Sequence, residues 1–369
     1  MSSPTPPSPT PPPPTPLSIA LDWTPNTNHA GFFAAKALGF YSARGLDVSL
    51  LSVSDPIYQA SYLPPSDERA AGEYNTPCGL VASGRAHFAL NSPEGVINWN
   101  TRPASDPRPP LTAVAAVCQA NTSAIACRPE IQRPRDLDGK RYASYAARFE
   151  GRIVQRMIRA DGGEGEYEEV VAPMLGLWNT VLSPAGEPGA TDATWIFTCW
   201  EGVEAEMKGE RLSLFRLEDY GIPYGYAPCL VANPALLAAE PDAVRRFLEA
   251  SAEGWEYCAK HPTEAARMLV EGARAECADG SLDPRMCELS MEKLAPSLLA
   301  ADGRWGRMEK GRWDAYLDWL AGAGLLTTYV NSRAGGEGKA TLDELRRGQS
   351  GETIKREDID AAKLFFSDW

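Results

Sequence analysis

Positive charge is what this sequence has least of for its size. Its 36 Lys and Arg are outnumbered by 49 Asp and Glu, a net charge of −13 over 369 residues, and histidine occurs three times. So acidic a chain offers no basic face to displace the counterions of a phosphate backbone, which argues against a nucleic-acid partner. Long apolar runs are missing too. None approaches the roughly 20 residues that cross a bilayer, so no membrane insertion is expected. Eight cysteines are present, but they are scattered along a large chain without a Cys-x-x-Cys or His-x-x-x-His spacing. Reduced thiols are expected rather than a disulfide framework, and no metal site. Neither a Gly-x-Gly-x-x-Gly turn nor a Walker loop occurs, which removes the usual glycine-rich cradles for a nucleotide phosphate.

Hydrophobic residues make up 44% of the sequence, enough for a sizeable core, and the length suggests two domains. Residues 1–16 are almost entirely Pro, Ser and Thr. That stretch lacks the charged start and apolar centre of a secretory signal, so it reads as a disordered leader and points to a cytoplasmic location.

Beyond it, period-2 and period-3.6 patterns alternate. Residues 17–21 form an expected strand, 31–38 a helix and 47–53 a second strand, one β-α-β unit with a right-handed crossover. Residues 54–79 read as a surface insertion. A third strand is expected at 87–90 with 91–95 as its exit loop, then a polar, Pro-rich excursion over 98–110. Strands at 111–117, 123–128 and 194–197 follow, with helices over 150–161, from Glu201, and over 241–250, 252–261 and 312–321. Asn233 caps a short helix opening at Pro234. The pattern falls in two blocks, and the chain passes between them near 117–121 and 224–230, which predicts two α/β lobes on two hinge strands. Lobe one would comprise 17–117 and 228–330, lobe two 118–227, and 331–369 a C-terminal extension whose apolar Leu364-Phe365-Phe366 docks.

Ligands of such lobes sit beyond the carboxyl ends of strands. The segment from Asp22 to His29 fits that place: a carboxylate, the Trp23 indole, the amides of Asn26 and Asn28 and the imidazole of His29 lie close together. Indoles suit a flat heteroaromatic ligand, because stacking supplies area while a few polar groups read the ring edge. Trp23, Trp195 and Trp200 are the candidates. Carboxyl groups suit the edge itself, where a ring nitrogen accepts and an exocyclic amine donates. Glu94, with Ser92 beside it, Glu150 and Glu201 are the candidates. Each has a plainer use: Glu150 and Glu201 sit where a helix dipole favours an acid, worth about 0.3–1 kcal/mol, and Asn after Pro commonly shapes a turn. His87, inside an apolar strand, and His261, before Pro262, read as structural. For a phosphate the nearest cationic pair is Arg148 and Arg152. No residue is assigned a catalytic role.

The wording of residues 21–33, Lys36-Ala37-Leu38-Gly39-Phe40-Tyr41 and Arg44-Gly45-Leu46-Asp47-Val48 resembles the start of the thiamine-pyrimidine-binding family of periplasmic-binding-protein-like folds. Later passages continue the likeness in the family's order, from about residue 17 to 330: Ser83-Gly84-Arg85-Ala86-His87-Phe88, Trp195-Ile196-Phe197-Thr198-Cys199-Trp200-Glu201-Gly202, Gly254-Trp255-Glu256-Tyr257 with His261-Pro262, and Arg304-Trp305-Gly306 ahead of Trp313. The family includes a bacterial formylaminopyrimidine-binding protein of an uptake transporter and the eukaryotic synthase of the thiamine pyrimidine phosphate.

The resemblance implies a type II two-lobed α/β fold. Each lobe would be a doubly wound, mainly parallel sheet with helices on both faces, and an aminopyrimidine such as hydroxymethylpyrimidine or formylaminopyrimidine would bind in the interlobe cleft. The synthase branch would carry a lysine holding pyridoxal phosphate, a histidine four positions on that is consumed as substrate, and a cysteine cluster for iron. Aligned through Ser83-Gly84-Arg85, the first two positions hold Asn91 and Gly95, and the cluster is reduced to Cys229. An amide forms no Schiff base and glycine has no ring to give. The first reading is therefore a cytosolic binder of a small heteroaromatic ligand, without a cofactor. The alternatives are an enzyme of thiamine biosynthesis, with pyridoxal phosphate and iron, and a binder of a small anion such as a sulfonate. A homodimer is compatible with the eukaryotic relatives, which can pair.

Overall fold

The structure, a computed structural model, describes residues 13–58, 76–102, 104, 106–145, 147, 149–171, 177–328, 352–367 and 369. The chain lays down β1 (Thr15–Ala20), β2 (Leu46–Leu51), β3 (Phe88–Asn91) and β4 (Thr112–Ala116) in one sheet. It continues with β5 (Ser123–Cys127), β6 (Arg141–Ser144), β7 (Glu168–Val171), β8 (Ala193–Phe197) and β9 (Ser213–Phe215) in a second, then returns to the first with β10 (Cys229–Ala232). The sheet orders are β2-β1-β3-β10-β4 and β7-β6-β8-β5-β9.

β1 runs parallel to β2 and β3, and β6 to β7 and β8, whereas β10 opposes β3 and β4, and β5 opposes β8 and β9. The reversed strand in each sheet is the first one reached from the other sheet. A chain that leaves β4 at the junction enters the second lobe from the end at which that lobe's other strands exit, so β5 must run against them. This is the two-lobed α/β fold, with the reversal marking each passage between sheets.

Helices α1 (Ala30–Ala37), α2 (Pro77–Ala82) and α3 (Pro93–Asn100) connect strands of the first sheet, and α4 (Glu150–Ala160), α5 (Leu177–Leu182) and α6 (Glu201–Lys208) those of the second. After β10 come α7 (Pro234–Ala239), α8 (Pro241–Lys260), α9 (Pro262–Glu276), α10 (Pro284–Leu294) and α11 (Lys310–Gly322). β2 keeps the period of a half-buried strand: Leu46, Val48 and Leu50 are buried, Asp47 and Ser49 exposed. α1 and α8 approach closely at two glycines. A Cβ on Gly31 would lie 2.0 Å from the Trp255 ring, and one on Gly254 2.2 Å from the Gly31 carbonyl oxygen.

Local structure departs from expectation at several points. The expected leader 1–16 ends short, because Thr15 and Pro16 already belong to β1 and pair with Leu46 and Asp47. Residues 91–95 are a helix start rather than an exit loop: Pro93 opens α3, and Ser92 caps it by accepting from the Gly95 amide at 2.9 Å. Helices expected at 241–250 and 252–261 are the single α8. Ser251 does not break it, because its hydroxyl donates to the Phe247 carbonyl (2.8 Å) and pairs with the Tyr41 hydroxyl (2.9 Å). Nor is the 54–79 stretch all surface. Tyr58 is fully buried and donates to the Leu21 carbonyl at 2.6 Å, and Cys78 is buried in α2, while 59–75 lie outside the described residues.

The end of the chain docks along β4. The Ala113 N–H donates to the Leu364 carbonyl and the Phe366 N–H to the Ala113 carbonyl, both at 2.8 Å, which covers the outer edge of the sheet. Phe365 stacks on Trp313 at 6.2 Å. One apolar cluster fills lobe one around Phe32, Phe247 and Trp255; another holds Val96, Ile125, Phe149 and Leu317 together, so residues of both lobes pack against α11. Among the described residues no helix is long and apolar enough to cross a membrane.

Candidate functional site

The loop after β1 is shaped by its own polar groups. Asn26 Oδ1 accepts from the Asn28 amide (2.9 Å) and Asn26 Nδ2 donates to the Thr24 carbonyl (2.9 Å), so the turn-forming use of Asn26 is realised. His29 is fully buried. Its Nδ1 accepts from the Asn26 amide at 3.2 Å, which leaves the hydrogen on Nε2, and Nε2 donates to Asp22 Oδ1 at 3.0 Å. His29 therefore stands behind the loop and acts through Asp22.

Asp22, Trp23, Asn26 and Asn28 form one wall of a solvent-open cleft of about 420 Å³, the open space at its mouth included. The other wall comes from lobe two: Tyr145 just beyond β6, and Phe197, Trp200 and Glu201 at the end of β8 and the start of α6. Two indoles thus enter one cleft from opposite lobes. Trp23 meets the Tyr145 ring edge-on, centroids 6.0 Å apart at 71°. Glu201 is buried, and its Oε2 accepts from the Phe197 amide at 2.9 Å. Burial pushes its carboxyl up to about 7, helped by nearby Glu204 and opposed by the Phe197 and Glu201 amides. Near neutrality this group presents either a carboxylate or a carboxylic acid to the cleft.

Other expected site residues stand behind the walls. Glu150 accepts from the Tyr142 hydroxyl (2.7 Å), the Ser144 hydroxyl (3.3 Å) and the amides of Tyr145 and Ala147 (both 3.2 Å), and so shapes the turn that carries Tyr145. Burial, with Glu169 and Glu94 nearby, pushes its carboxyl up to about 8 despite those donors. Glu94 accepts from the Phe149 amide at 3.2 Å and ties α3 to the start of α4. Ser92 is the α3 cap. Trp195, two residues back from Phe197, packs edge-on against Tyr224 at 5.5 Å in the core. Arg152 donates to the carbonyls of Ala323 and Gly324, and Arg148 lies outside the described residues. Tyr145 and Phe197 were not singled out from sequence. Both carry the signal used for Trp23, an aromatic at a strand's carboxyl end. Among the described residues no group of three or more His, Cys, Asp or Glu could hold a metal ion.

A cleft between two α/β lobes, reached from strand ends, defines a protein of the periplasmic-binding-protein fold. Within that class the chain belongs to the NMT1/THI5-like family, whose model matches residues 26–64 and 69–265. It is 24% identical over 306 residues to the formylaminopyrimidine-binding protein of Halalkalibacterium halodurans, covering 82% of this chain and 84% of that one. A Haemophilus influenzae protein provisionally named for thiamine biosynthesis is 27% identical over 255 residues, 69% of this chain and 72% of the relative. The solved alkanesulfonate-binding protein of Xanthomonas axonopodis pv. citri, bound to MOPS, superposes with a TM-score of 0.59 at 12% identity, covering 96% of this chain and 99% of that one. That last likeness speaks for the fold.

Proposed function

We propose that this protein binds an aminopyrimidine of thiamine metabolism, such as hydroxymethylpyrimidine or formylaminopyrimidine, between its lobes. One observation carries the reading: Trp23 and Trp200, from opposite lobes, line a single cleft with the buried carboxyl of Glu201. A flat ring gains area from the indoles, and a carboxyl that burial raises toward neutrality can accept from the exocyclic amine as a carboxylate or donate to the ring nitrogen as an acid. Membership of the NMT1/THI5-like family and the name of the Halalkalibacterium relative support the same ligand class. The eight cysteines are all free and buried, which supports a reducing, cytosolic setting.

The site residues argue against the two alternatives. Asn91 donates to Cys78 Sγ at 2.9 Å and accepts from the Ser92 amide at 2.9 Å, and a Cβ on Gly95 would lie 2.1 Å from the Asn91 side chain. These positions hold neither an amine for pyridoxal phosphate nor an imidazole, and Cys229 is a buried thiol donating to the Tyr226 carbonyl at 3.0 Å. The residues do not fit the synthase's cofactor. A sulfonate would meet the carboxyls of Asp22 and Glu201, and no Lys or Arg is among the described residues lining the cleft.

Thermal-shift and calorimetric titration test the reading. 4-Amino-5-hydroxymethyl-2-methylpyrimidine or formylaminopyrimidine should raise Tm, and pyridoxal phosphate should give no Schiff-base absorbance. A shift with sulfonates alone would overturn it.

A further inference from the structure

Ser290, on α10 of lobe one, is fully buried, and its hydroxyl bonds to the two segments that carry the walls of the cleft. It donates to the Cys199 carbonyl oxygen and lies 2.6 Å from the Thr27 hydroxyl. Thr27 sits between Asn26 and Asn28 on the lobe-one wall, and Cys199 between Phe197 and Trp200 on the lobe-two wall. With its own proton given to the carbonyl, Ser290 Oγ accepts from Thr27, so a directional chain runs from Thr27 through Ser290 to Cys199. Lys293, further along α10, pairs with Glu206 of α6 at 2.5 Å, but its side chains are 34% and 66% exposed and water competes for them. The Trp200 ring packs against the lobe-one apolar cluster that contains Met291.

We propose that Ser290 is a positioning residue that latches the cleft's two walls at a fixed separation, so that one flat ring fits and leaves slowly. Separating the lobes at this point breaks the hydroxyl chain and strips the Cys199 carbonyl of a partner in a dry site. The latch rests on the aminopyrimidine reading only for the identity of the ring; the contact itself is made without ligand.

Hydrogen exchange on the ligand-free full chain tests it with Ser290→Ala, Ser290→Cys, Thr27→Val and the Ser290→Ala/Thr27→Val pair. In Ser290→Ala, amides of residues 198–204 should exchange about tenfold faster while those of 285–294 keep their protection. Ser290→Cys, which keeps a weak donor and a similar shape, should fall between, and Thr27→Val should add nothing to Ser290→Ala. Stopped-flow release of 4-amino-5-hydroxymethyl-2-methylpyrimidine should quicken about tenfold and its association should quicken too, because a latch closed without ligand must open for entry as well as exit. Exchange at 198–204 that stays at the wild-type rate, or faster exchange confined to α10, would overturn the latch. A wild-type protein that shows the latch yet binds no pyrimidine would overturn the ligand reading alone.

Discussion

His29 Nε2 lies 3.0 Å from Asp22 Oδ1, with the imidazole fully buried and the carboxyl 29% exposed at the cleft. The ring is held from its other side by the Asn26 amide, so it fixes both the loop and the direction in which Asp22 faces the cleft. His29→Ala removes an acceptor and a donor at once. It should cost about 1–3 kcal/mol in urea unfolding and weaken aminopyrimidine binding by calorimetry. His29→Gln should recover part of both; wild-type stability in the alanine variant would show that the dyad holds nothing.

The three tryptophans separate binding from packing. Trp23→Ala and Trp200→Ala should each weaken a heteroaromatic ligand by about 1–3 kcal/mol while unfolding stays cooperative. Trp195→Ala should do the reverse, costing about 3–5 kcal/mol of stability, since its ring packs on Tyr224. Calorimetry and denaturant unfolding on the three variants check the split.

Glu201 makes stability depend on pH in a stated direction. Its carboxyl rises from 4.5 to about 7 in the folded chain, so the folded state favours the protonated form. The stability this gives is fully present below pH 4.5 and is lost as pH rises through about 7. Glu150, pushed up to about 8, acts the same way over a wider window. Glu201→Gln keeps an acceptor for the Phe197 amide but has no proton to lose. Its unfolding free energy should fall less than that of wild type between pH 5 and pH 8, by about 1–3 kcal/mol. Parallel curves for the two proteins would exclude Glu201 as the titrating group.

Gly31→Ala and Gly254→Ala should destabilise although alanine is the better helix former. The added methyl would meet the Trp255 ring at 2.0 Å or the Gly31 carbonyl at 2.2 Å. Forcing α1 and α8 apart should cost about 1–3 kcal/mol. Thermal unfolding checks it, with Gly311→Ala, where nothing lies within 4 Å, as the control.

Much of the fold is legible without coordinates because its signals are local. Alternation in β2, the Asn233 cap before Pro234 and the two breaks near 117–121 and 224–230 each depend on neighbouring residues. The same reading placed Asp22, Trp23, Asn26 and Asn28 at a strand end, and they line the cleft. Capping chemistry was there to be read in Ser92-Pro93 and would have turned an exit loop into α3.

What the tertiary structure decided is which way side chains face and what reaches them from far along the chain. Trp195 and Trp200 read alike in sequence, yet one packs on Tyr224 and the other lines the cleft, because Trp195 lies inside β8 and Trp200 in the turn that leaves it for α6. Glu94 and Glu150 have carboxyls suited to a ligand, but backbone amides and the Tyr142 hydroxyl occupy them. Ser290 reaches Thr27 and Cys199 only when both sheets are assembled. Strand period and helix caps are short-range hydrogen-bond chemistry, whereas a cleft is made by groups that meet only after the chain has crossed between lobes twice.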